Sequence, residues 1–342
     1  MSSIAYLYDP LFLEHTLHGH PEHAGRLSAI MARLQHENAL ADATQLACIP
    51  ATDAQLTEVH QYDYVSQVFS ISGFGGGHMG PDTYLTDASY DAAVLAAGAC
   101  AMAADAVMRG EVQRAIAFVR PPGHHAFADH GEGFCLFNNV AFAARAAQKH
   151  ADCERVMIVD FDVHHGNGTQ AIFYDDPSVL YISSHQMPLY PGTGRINEMG
   201  RGKGLGCTIN VPLLPEAGDH AFAQVLDEVI APAARRYRPQ LILVSAGFDA
   251  HWRDPLAQIN VSLAGFARMM RGLCELSEEL CAGKLVTVLE GGYDLDALSY
   301  GVLNTLRVMQ DKDEINDPLG ASTERETDMR KVIRAVREAH GL

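Results

Sequence analysis

The sequence has little of what marks membrane-spanning, secreted or thiolate-metal proteins. It shows no apolar run long enough to cross a bilayer, and residues 1–6 lack the basic start and apolar core of a signal peptide. The seven cysteines are odd in number and include no C-x-x-C pair, which excludes a disulfide framework and a thiolate zinc site. These absences predict a protein of a reducing compartment, the cytoplasm.

Positive charge is also scarce. Lysine and arginine together number 25 against 42 aspartates and glutamates, so the formal net charge is −17 at pH 7. Such a field repels the phosphates of nucleic acids and anionic membrane surfaces, and it favours cationic ligands. Solubility alone explains the charge equally well. We therefore expect neither a nucleic-acid nor a membrane partner, and the charge identifies no other partner.

Short β-branched runs alternate with helical patterns along the 342 residues, which predicts a parallel sheet covered by helices. About eight runs have strand character: 4–8, 46–49, 115–119, 155–159, 179–184, 207–211, 241–245 and 285–289. Helical spacing covers 27–40, 56–69, 88–108, 137–150 and 324–340, and the glycine-dense 72–80 predicts a mobile loop. We expect one α/β domain over residues 1–342, a single three-layer fold with a mainly parallel sheet of about eight strands. Residues from about 311 to 342 would form its charged, helical C-terminal extension.

One stretch carries most of the chemical information: residues 160–168, Asp-Phe-Asp-Val-His-His-Gly-Asn-Gly, directly after an apolar run. In an extended chain alternate side chains share a face, so Asp160, Asp162 and His164 should point the same way. Carboxylate oxygens and a neutral imidazole are typical ligands of a divalent metal ion, most simply Zn²⁺. A lone Asp-x-Asp or His-His is more typical of a capped strand end, but the whole string is not. Its glycines predict a sharp turn into a helix.

Chemically active residue types also follow other predicted strands. The segments share a position at a strand end: 120–125 (Arg-Pro-Pro-Gly-His-His), 160–164, 183–185 (Ser-Ser-His), 245–249 (Ser-Ala-Gly-Phe-Asp) and 290–293 (Glu-Gly-Gly-Tyr). In an open parallel sheet, ligands bind beyond the carboxyl ends of the strands. Each segment alone is more typical of a turn, but their joint placement predicts an active site at this edge.

Asp249 is the predicted third metal ligand beside Asp162 and His164. Three protein ligands with a further position left for water are typical of a catalytic rather than a structural zinc ion. His124 and His125 are adjacent, which suits proton transfer better than chelation of the same ion. The alternative for this pair is two hydrogen-bonded core histidines.

Together these motifs resemble the zinc-dependent histone deacetylase family, which includes bacterial deacetylase-like amidohydrolases and acetylpolyamine amidohydrolases. The matching segments run in order through most of the chain: 120–126, 131–135 with 138–139, 160–170, 184–185, 189–194, 247–249 and 290–293. Pro-Pro-Gly-His-His and His-Gly-Asn-Gly-Thr-Gln resemble the class II branch. The early loop 18–26 departs from the family pattern at Ala24-Gly25, and Asp294 stands where the family has asparagine. The resemblance implies a fold of the arginase–deacetylase type.

The resemblance also implies roles for single residues. Asp162, His164 and Asp249 would bind one zinc ion per chain. His125 would be the general base and later the general acid, with His124 as its electrostatic partner.

In the same way, the resemblance implies that Asp160 accepts a hydrogen bond from His124 and holds that ring charged. Asn167 would accept one from His125, and because an amide is neutral it would leave His125 free to take a proton near pH 7. Tyr293 would donate to the developing oxyanion.

The family further implies a substrate channel and a monovalent cation site. Phe134 and Tyr190 would flank an acyl-lysine tunnel beside Gly133, with Gly292 as a further substrate contact. A K⁺ site would be built partly from backbone carbonyls: Asp160, Asp162, His164, Ser183 and Ser184.

We therefore expect an enzyme that hydrolyses the amide of an N-acetylated amine, with acetyl-lysine peptides or proteins as substrates. Acetylpolyamines are the alternative, although the long insertion associated with the dimerising polyamine enzymes is not evident between residues 69 and 97. A reader protein that keeps the metal without catalysis would lack Tyr293 or the histidine pair, and both are present. The sequence leaves open the acyl length, zinc against iron(II), and whether the chain forms a homo-oligomer.

Overall fold

The computed structural model describes residues 3–342. The strands are β1 (Ile4–Leu7), β2 (Ala43–Leu46), β3 (Gly76–His78), β4 (Tyr84–Thr86), β5 (Arg114–Ala117), β6 (Val156–Asp160), β7 (Val179–Gln186), β8 (Thr208–Leu213), β9 (Leu241–Ala246) and β10 (Leu285–Leu289). The α-helices are α1 (Gly25–His36), α2 (Asp53–Val59), α3 (Tyr62–Gly73), α4 (Ser89–Met108), α5 (Asn139–Ala147), α6 (Asn167–Phe173), α7 (Asp219–Val225), α8 (Ala231–Tyr237), α9 (Leu263–Cys281), α10 (Leu295–Met309) and α11 (Arg330–His340).

Eight of these strands form one sheet in the order β2-β1-β5-β10-β9-β6-β7-β8, and every neighbouring pair is parallel. The predicted parallel α/β fold is therefore confirmed. The four central strands β5, β10, β9 and β6 are buried throughout and mostly apolar because helices cover both faces and leave no solvent side. Strand β2 is displaced from the predicted run 46–49 to Ala43–Leu46, a half-exposed edge strand with little burial to fix its register.

Helices α4 and α5 pack against each other and against the central strands, while α1, α10 and α9 form a second helical layer. Helix α4 is 20 residues long and, by length and composition, apolar enough to span a bilayer, so the expectation that no run is long enough was wrong. Its apolar window is 83% buried inside the protein, as expected for a core helix. The helix therefore covers the sheet.

Three further local predictions were wrong. The pattern 56–69 forms two helices, α2 and α3, because the backbone is extended at His60. The buried His60 ring contacts the Phe127 carbonyl and accepts a hydrogen bond from the N–H of Asn138, and both contacts stabilise this break. The segment 72–80 contains β3, which pairs with β4 in a small antiparallel hairpin. At Gly76 the backbone has a φ of +99°, and a Cβ would lie 2.4 Å from the Leu85 carbonyl oxygen, so only glycine fits. The C-terminal helix is also shorter than predicted, since α11 begins at Arg330.

The strand order decides where the functional segments meet. Strands β5, β10, β9 and β6 are consecutive neighbours in the sheet although they lie far apart in the chain. The segments that follow them, 120–125, 290–293, 247–249 and 160–168, therefore leave the same edge side by side.

Candidate active site

Three predicted metal ligands come together at this edge. One potential donor atom from each of Asp162, His164 and Asp249 lies within 4.8 Å of the others, and all three residues are buried. His164 Nδ1 is 3.3 Å from Asp162 Oδ1 and 3.2 Å from Asp249 Oδ2. A tetrahedral zinc ion about 2.0–2.1 Å from its ligands holds them about 3.3–3.4 Å apart. The donor set and its spacing therefore fit a zinc ion.

The electrostatics of this group also fit a cation. Burial and the neighbouring Asp162 charge raise the pKa of Asp249. Burial lowers the pKa of His164, but its hydrogen bonds to the two aspartates outweigh this effect and raise the pKa to about 10. Two buried carboxylates at one point thus favour a positive charge between them, which a divalent ion supplies while leaving the imidazole neutral.

Backbone N–H groups orient the two carboxylates. The N–H of His164 donates to Asp162 Oδ1 at 2.9 Å, and the N–H of Gly291 donates to Asp162 Oδ2 at 2.8 Å. The N–H of Val163 donates to Asp249 Oδ1 at 2.9 Å. At Gly291 a Cβ would lie 2.1 Å from Asp249 Oδ2, so glycine is what lets this backbone approach the site.

The geometry of the 160–164 segment differs from the prediction. Strand β6 ends at Asp160 and the chain then bends, so strand alternation does not orient Asp162 and His164. Instead the N–H of Asp162 donates to Asp160 Oδ1 at 3.2 Å, a local turn that competes with strand continuation. Helix α6 begins at Asn167, as the Gly-Asn-Gly pattern predicted.

A second group of potential ligands, His124, Cys135 and Glu290, lies nearby. Burial and the Glu290 charge raise the pKa of the Cys135 thiol well above its usual range, so the thiolate that a metal requires is disfavoured. Glu290 Oε2 already accepts hydrogen bonds from the N–H groups of Gly123 (2.7 Å) and His124 (3.2 Å). This group is therefore structural.

The predicted partners of the adjacent histidines are in place. His124 Nδ1 lies 3.1 Å from Asp160 Oδ2, and His125 Nδ1 lies 2.8 Å from Asn167 Oδ1. Burial lowers the pKa of both rings, but the charges of Asp162 and Asp160 reverse the effect and raise the pKa of His124 well above its usual value. For His125 the nearby positive charges add to burial, and the pKa falls well below its usual value.

A cavity of about 210 Å³ opens above the histidines and the metal ligands. Its walls combine rings, aliphatic groups and one carboxylate: Asp82, His125, Gly133, Phe134, His164, Leu189, Tyr190, Leu256 and Tyr293. Gly133 has a φ of +55°, and a Cβ there would lie 2.4 Å from His125 Cδ2. Predicted wall residues Phe134, Tyr190 and Gly133 thus line one cavity with Tyr293.

Gly292 differs from the prediction, since it is not among the residues that line the cavity. Its carbonyl oxygen accepts a hydrogen bond from Arg26 Nε at 2.7 Å. The Arg26 guanidinium also lies 5.1 Å from the centre of the Tyr293 ring and is itself paired with the buried Glu22. Arg26 and Glu22 thereby support the Tyr293 segment, a function that the loop pattern 18–26 did not reveal.

A second support of Tyr293 was also missed. Asp254 Oδ2 accepts hydrogen bonds from the backbone N–H groups of Tyr293 (2.7 Å) and Asp294 (3.3 Å). Burial raises the pKa of the Tyr293 phenol well above its usual value, so the hydroxyl remains a donor. Asp254 stands in an unremarkable Asp-Pro-Leu segment, and no sequence signal separates it from a turn residue.

The serines predicted at a K⁺ site lie on β7, beside β6. Ser183 pairs in register with Asp160, and its Oγ is 2.8 Å from His185 Nδ1. Ser184 Oγ is buried and has no hydrogen-bond partner among the described residues. Within residues 3–342, the loop histidines His18, His20 and His23 join neither group of potential metal ligands.

Comparison with known proteins agrees with this geometry. Residues 20–309 match the sequence model of the histone deacetylase domain. The chain belongs to the histone deacetylase family. A probable deacetylase of Archaeoglobus fulgidus is 42% identical over 294 residues, covering 85% of this chain and 81% of the relative. A histone deacetylase-like amidohydrolase of Pseudomonas aeruginosa is 42% identical over 268 residues, covering 78% of this chain and 68% of the relative.

The fold of this histone deacetylase family member also matches a solved structure. The crystal structure of the HDA15 HD domain superposes with a TM-score of 0.90 at 36% identity, covering 98% of this chain and 95% of that one. The protein is thus a hydrolase of a generally metal-dependent family, with the arginase–deacetylase fold that the motifs predicted. The family implies an acetylated substrate.

Proposed function

We propose that the protein is a zinc-dependent amidohydrolase that removes acetyl groups from the ε-amino group of lysine side chains. The observation that carries this proposal is one cavity in which His125, His164 and Tyr293 meet. An acyl-lysine would reach these groups through the cavity with its methylene chain against Phe134 and Tyr190. Flat apolar walls favour such a chain because they remove it from water.

Zinc is the metal we propose, held by Asp162, His164 and Asp249. When bound, it would polarise the acyl carbonyl and make the attacking water more acidic. Asp249→Ala should remove the ion because one of three protein ligands disappears. Elemental analysis of the purified variant measures this, and full zinc occupancy would contradict the ligand assignment.

The chain's own residues carry the proton transfers. His125 Nε2 takes a proton from the attacking water, since its Nδ1 is engaged by Asn167 and its lowered pKa leaves the ring neutral. The Tyr293 hydroxyl donates a hydrogen bond to the oxygen that becomes negative in the tetrahedral state. His125 then returns the proton to the nitrogen of the leaving amine, so water and amide yield acetate and amine.

The proposal also includes a monovalent cation site, a cellular location and a partner class. We propose a K⁺ ion beside β6 and β7, bound by carbonyls of Asp160, Asp162, His164, Ser183 and Ser184. The buried, unpartnered Ser184 Oγ supports a ligand there. A cytoplasmic location, one domain over 1–342 and acetylated lysine peptides as partners complete the proposal.

Acetylpolyamines are the second candidate substrate, and the acidity of the protein favours them. The net charge is −17 and Asp82 stands at the cavity, where it would attract an ammonium group. Against this, Leu189 and Leu256 also line the cavity, and aliphatic side chains favour the uncharged methylene chain of lysine over the further charges of a long polyamine. We therefore rank acetyl-lysine peptides first.

A substrate panel tests this ranking. Zinc-loaded protein is assayed with acetyl-lysine peptides, longer acyl-lysines, acetylputrescine and acetylspermidine. We expect the highest kcat/KM for an acetyl-lysine peptide, and a clear preference for a polyamine would overturn the proposal in favour of the second candidate.

The variant Tyr293→Phe tests the proposed mechanism in the same assay. It keeps the ring but loses the oxyanion donor, so kcat should fall by roughly 10²–10³-fold with little change in KM. Tyr62→Phe, which removes a hydroxyl from a residue that is 70% exposed, is the matched control and should keep wild-type turnover. If Tyr293→Phe also keeps it, Tyr293 is a packing residue.

A further inference from the structure

Glu132, the residue before Gly133 of the cavity wall, contacts the amide that holds His125. We propose that Glu132 is a positioning residue that acts through Asn167 to fix which ring nitrogen of His125 carries the proton. The expected effect of Glu132 on kcat rests on the proposed deacetylase function. Its effect on the tautomer of His125 does not.

The hydrogen bonds of Asn167 carry the argument. Its Oδ1 lies 2.8 Å from His125 Nδ1 and accepts a second hydrogen bond from the N–H of Gly168 at 3.1 Å. Its Nδ2 donates to Glu132 Oε1 in a short hydrogen bond. An ionised carboxylate only accepts hydrogen bonds, so the amide must turn its NH₂ group toward Glu132. The two partners thus specify one orientation of the amide.

The orientation of the amide determines the form of His125. Because Oδ1 of Asn167 only accepts, His125 Nδ1 must carry the hydrogen, and Nε2 keeps the free electron pair that a general base needs. A flipped amide would set its NH₂ against the N–H of Gly168 and would favour the other tautomer. Glu132 opposes this flip because a charge-assisted hydrogen bond is about twice as strong as a neutral one.

The surroundings of Glu132 leave it free for this role. Its side chain is 32% exposed, and its ion-pair neighbour is His130 Nε2 at 3.9 Å. Among residues 3–342, no lysine or arginine lies within ion-pair distance of its carboxylate. Tyr190, a wall of the cavity, also faces Glu132, so the glutamate joins the rim to the proton-transfer group.

A double-mutant cycle tests whether Glu132 acts through Asn167. In zinc-loaded enzyme with an acetyl-lysine peptide, Glu132→Ala should lower kcat roughly 10-fold at unchanged KM, as loss of an outer hydrogen-bond partner does. In the Asn167→Ala background the same change should cost less than about 2-fold. Glu132→Gln keeps an oxygen that can accept from Asn167 but loses the charge and gains a donor, so it should recover only part of the turnover.

Asp129→Asn is the matched control, because it removes a carboxylate from the same loop that contacts His130 and not Asn167. It should leave kcat and KM at wild-type values. An equal loss for Glu132→Ala in both backgrounds would overturn the proposal, and so would a rise in KM with kcat unchanged, which would identify a substrate contact instead.

Ring-¹⁵N NMR of histidine-labelled protein gives a readout that does not depend on activity. The His125 resonances, assigned by comparison with His125→Phe, should show the Nδ1–H form in wild type and in Asp129→Asn. Glu132→Ala should add the Nε2–H form, and an unchanged spectrum would overturn the proposal. If the spectrum shifts but no acyl-lysine is hydrolysed by wild type, the positioning role stands and the proposed function fails.

Discussion

His124 and His125 are neighbours in the chain, yet the structure gives them opposite electrostatic surroundings. Both are only 3% exposed, and their rings lie 4.1 Å apart. His124 faces the carboxylate of Asp160, whereas His125 faces the neutral amide of Asn167. The pKa of the first ring is raised well above its usual value, and that of the second is lowered well below it. Burial lowers the pKa of both rings, so the charges around each ring decide the difference.

His125→Ala should have the largest effect on kcat, and it tests the difference between the two histidines. Removal of a positioned general base should lower kcat by at least ~10²-fold. Zinc should be retained because no proposed ligand is changed. Steady-state kinetics with elemental analysis measures both quantities, and His36→Ala, at an exposed position, is the control.

His124→Ala should lower kcat less than His125→Ala and stability more. The change leaves Asp160 buried beside Tyr181 without its cationic partner, and breaking a buried pair in this way costs about 3–5 kcal/mol. Denaturant unfolding of the two alanine variants gives the comparison. If His124→Ala is the more severe change in kcat while the protein stays folded, the roles of the two histidines are reversed.

Asn167→Asp should produce the smallest change in activity, because it keeps the acceptor oxygen for His125. It adds a negative charge, so the surroundings of His125 come to resemble those of His124. A negative charge at this position raises the pKa of His125, so a larger fraction of the ring is already protonated at neutral pH and cannot accept a proton. The acid limb of the pH profile of kcat/KM should therefore move to higher pH. The value of kcat/KM near pH 7 should fall roughly a few-fold. A profile that stays in place would show that the partner does not tune this ring.

Much of the site could be predicted because its motifs are local. Asp162 and His164 lie on one short segment, and the residue types of metal ligands and proton carriers are recognisable without a structure. The fold class follows from alternation of strands and helices.

The supports of the site could not be predicted. Arg26 reaches the carbonyl of Gly292, 266 residues away, and Asp254 holds the backbone N–H of Tyr293, 39 residues away. Neither contact has a local signature, because any buried arginine or turn aspartate has the same pattern in sequence. The family resemblance named Gly292 as a substrate contact and gave no sign of its hydrogen bond with Arg26.

The parallel α/β architecture and the candidate metal ligands could be inferred from the sequence, because both depend on periodicity and on residue chemistry within short segments. Only the tertiary structure decided the strand order β5-β10-β9-β6, which sets four distant segments side by side. The tertiary structure also brings Glu132 to the side-chain amide of Asn167, 35 residues away in the chain. Such contacts arise from how whole elements pack, and packing is a property of the entire chain rather than of any stretch within it.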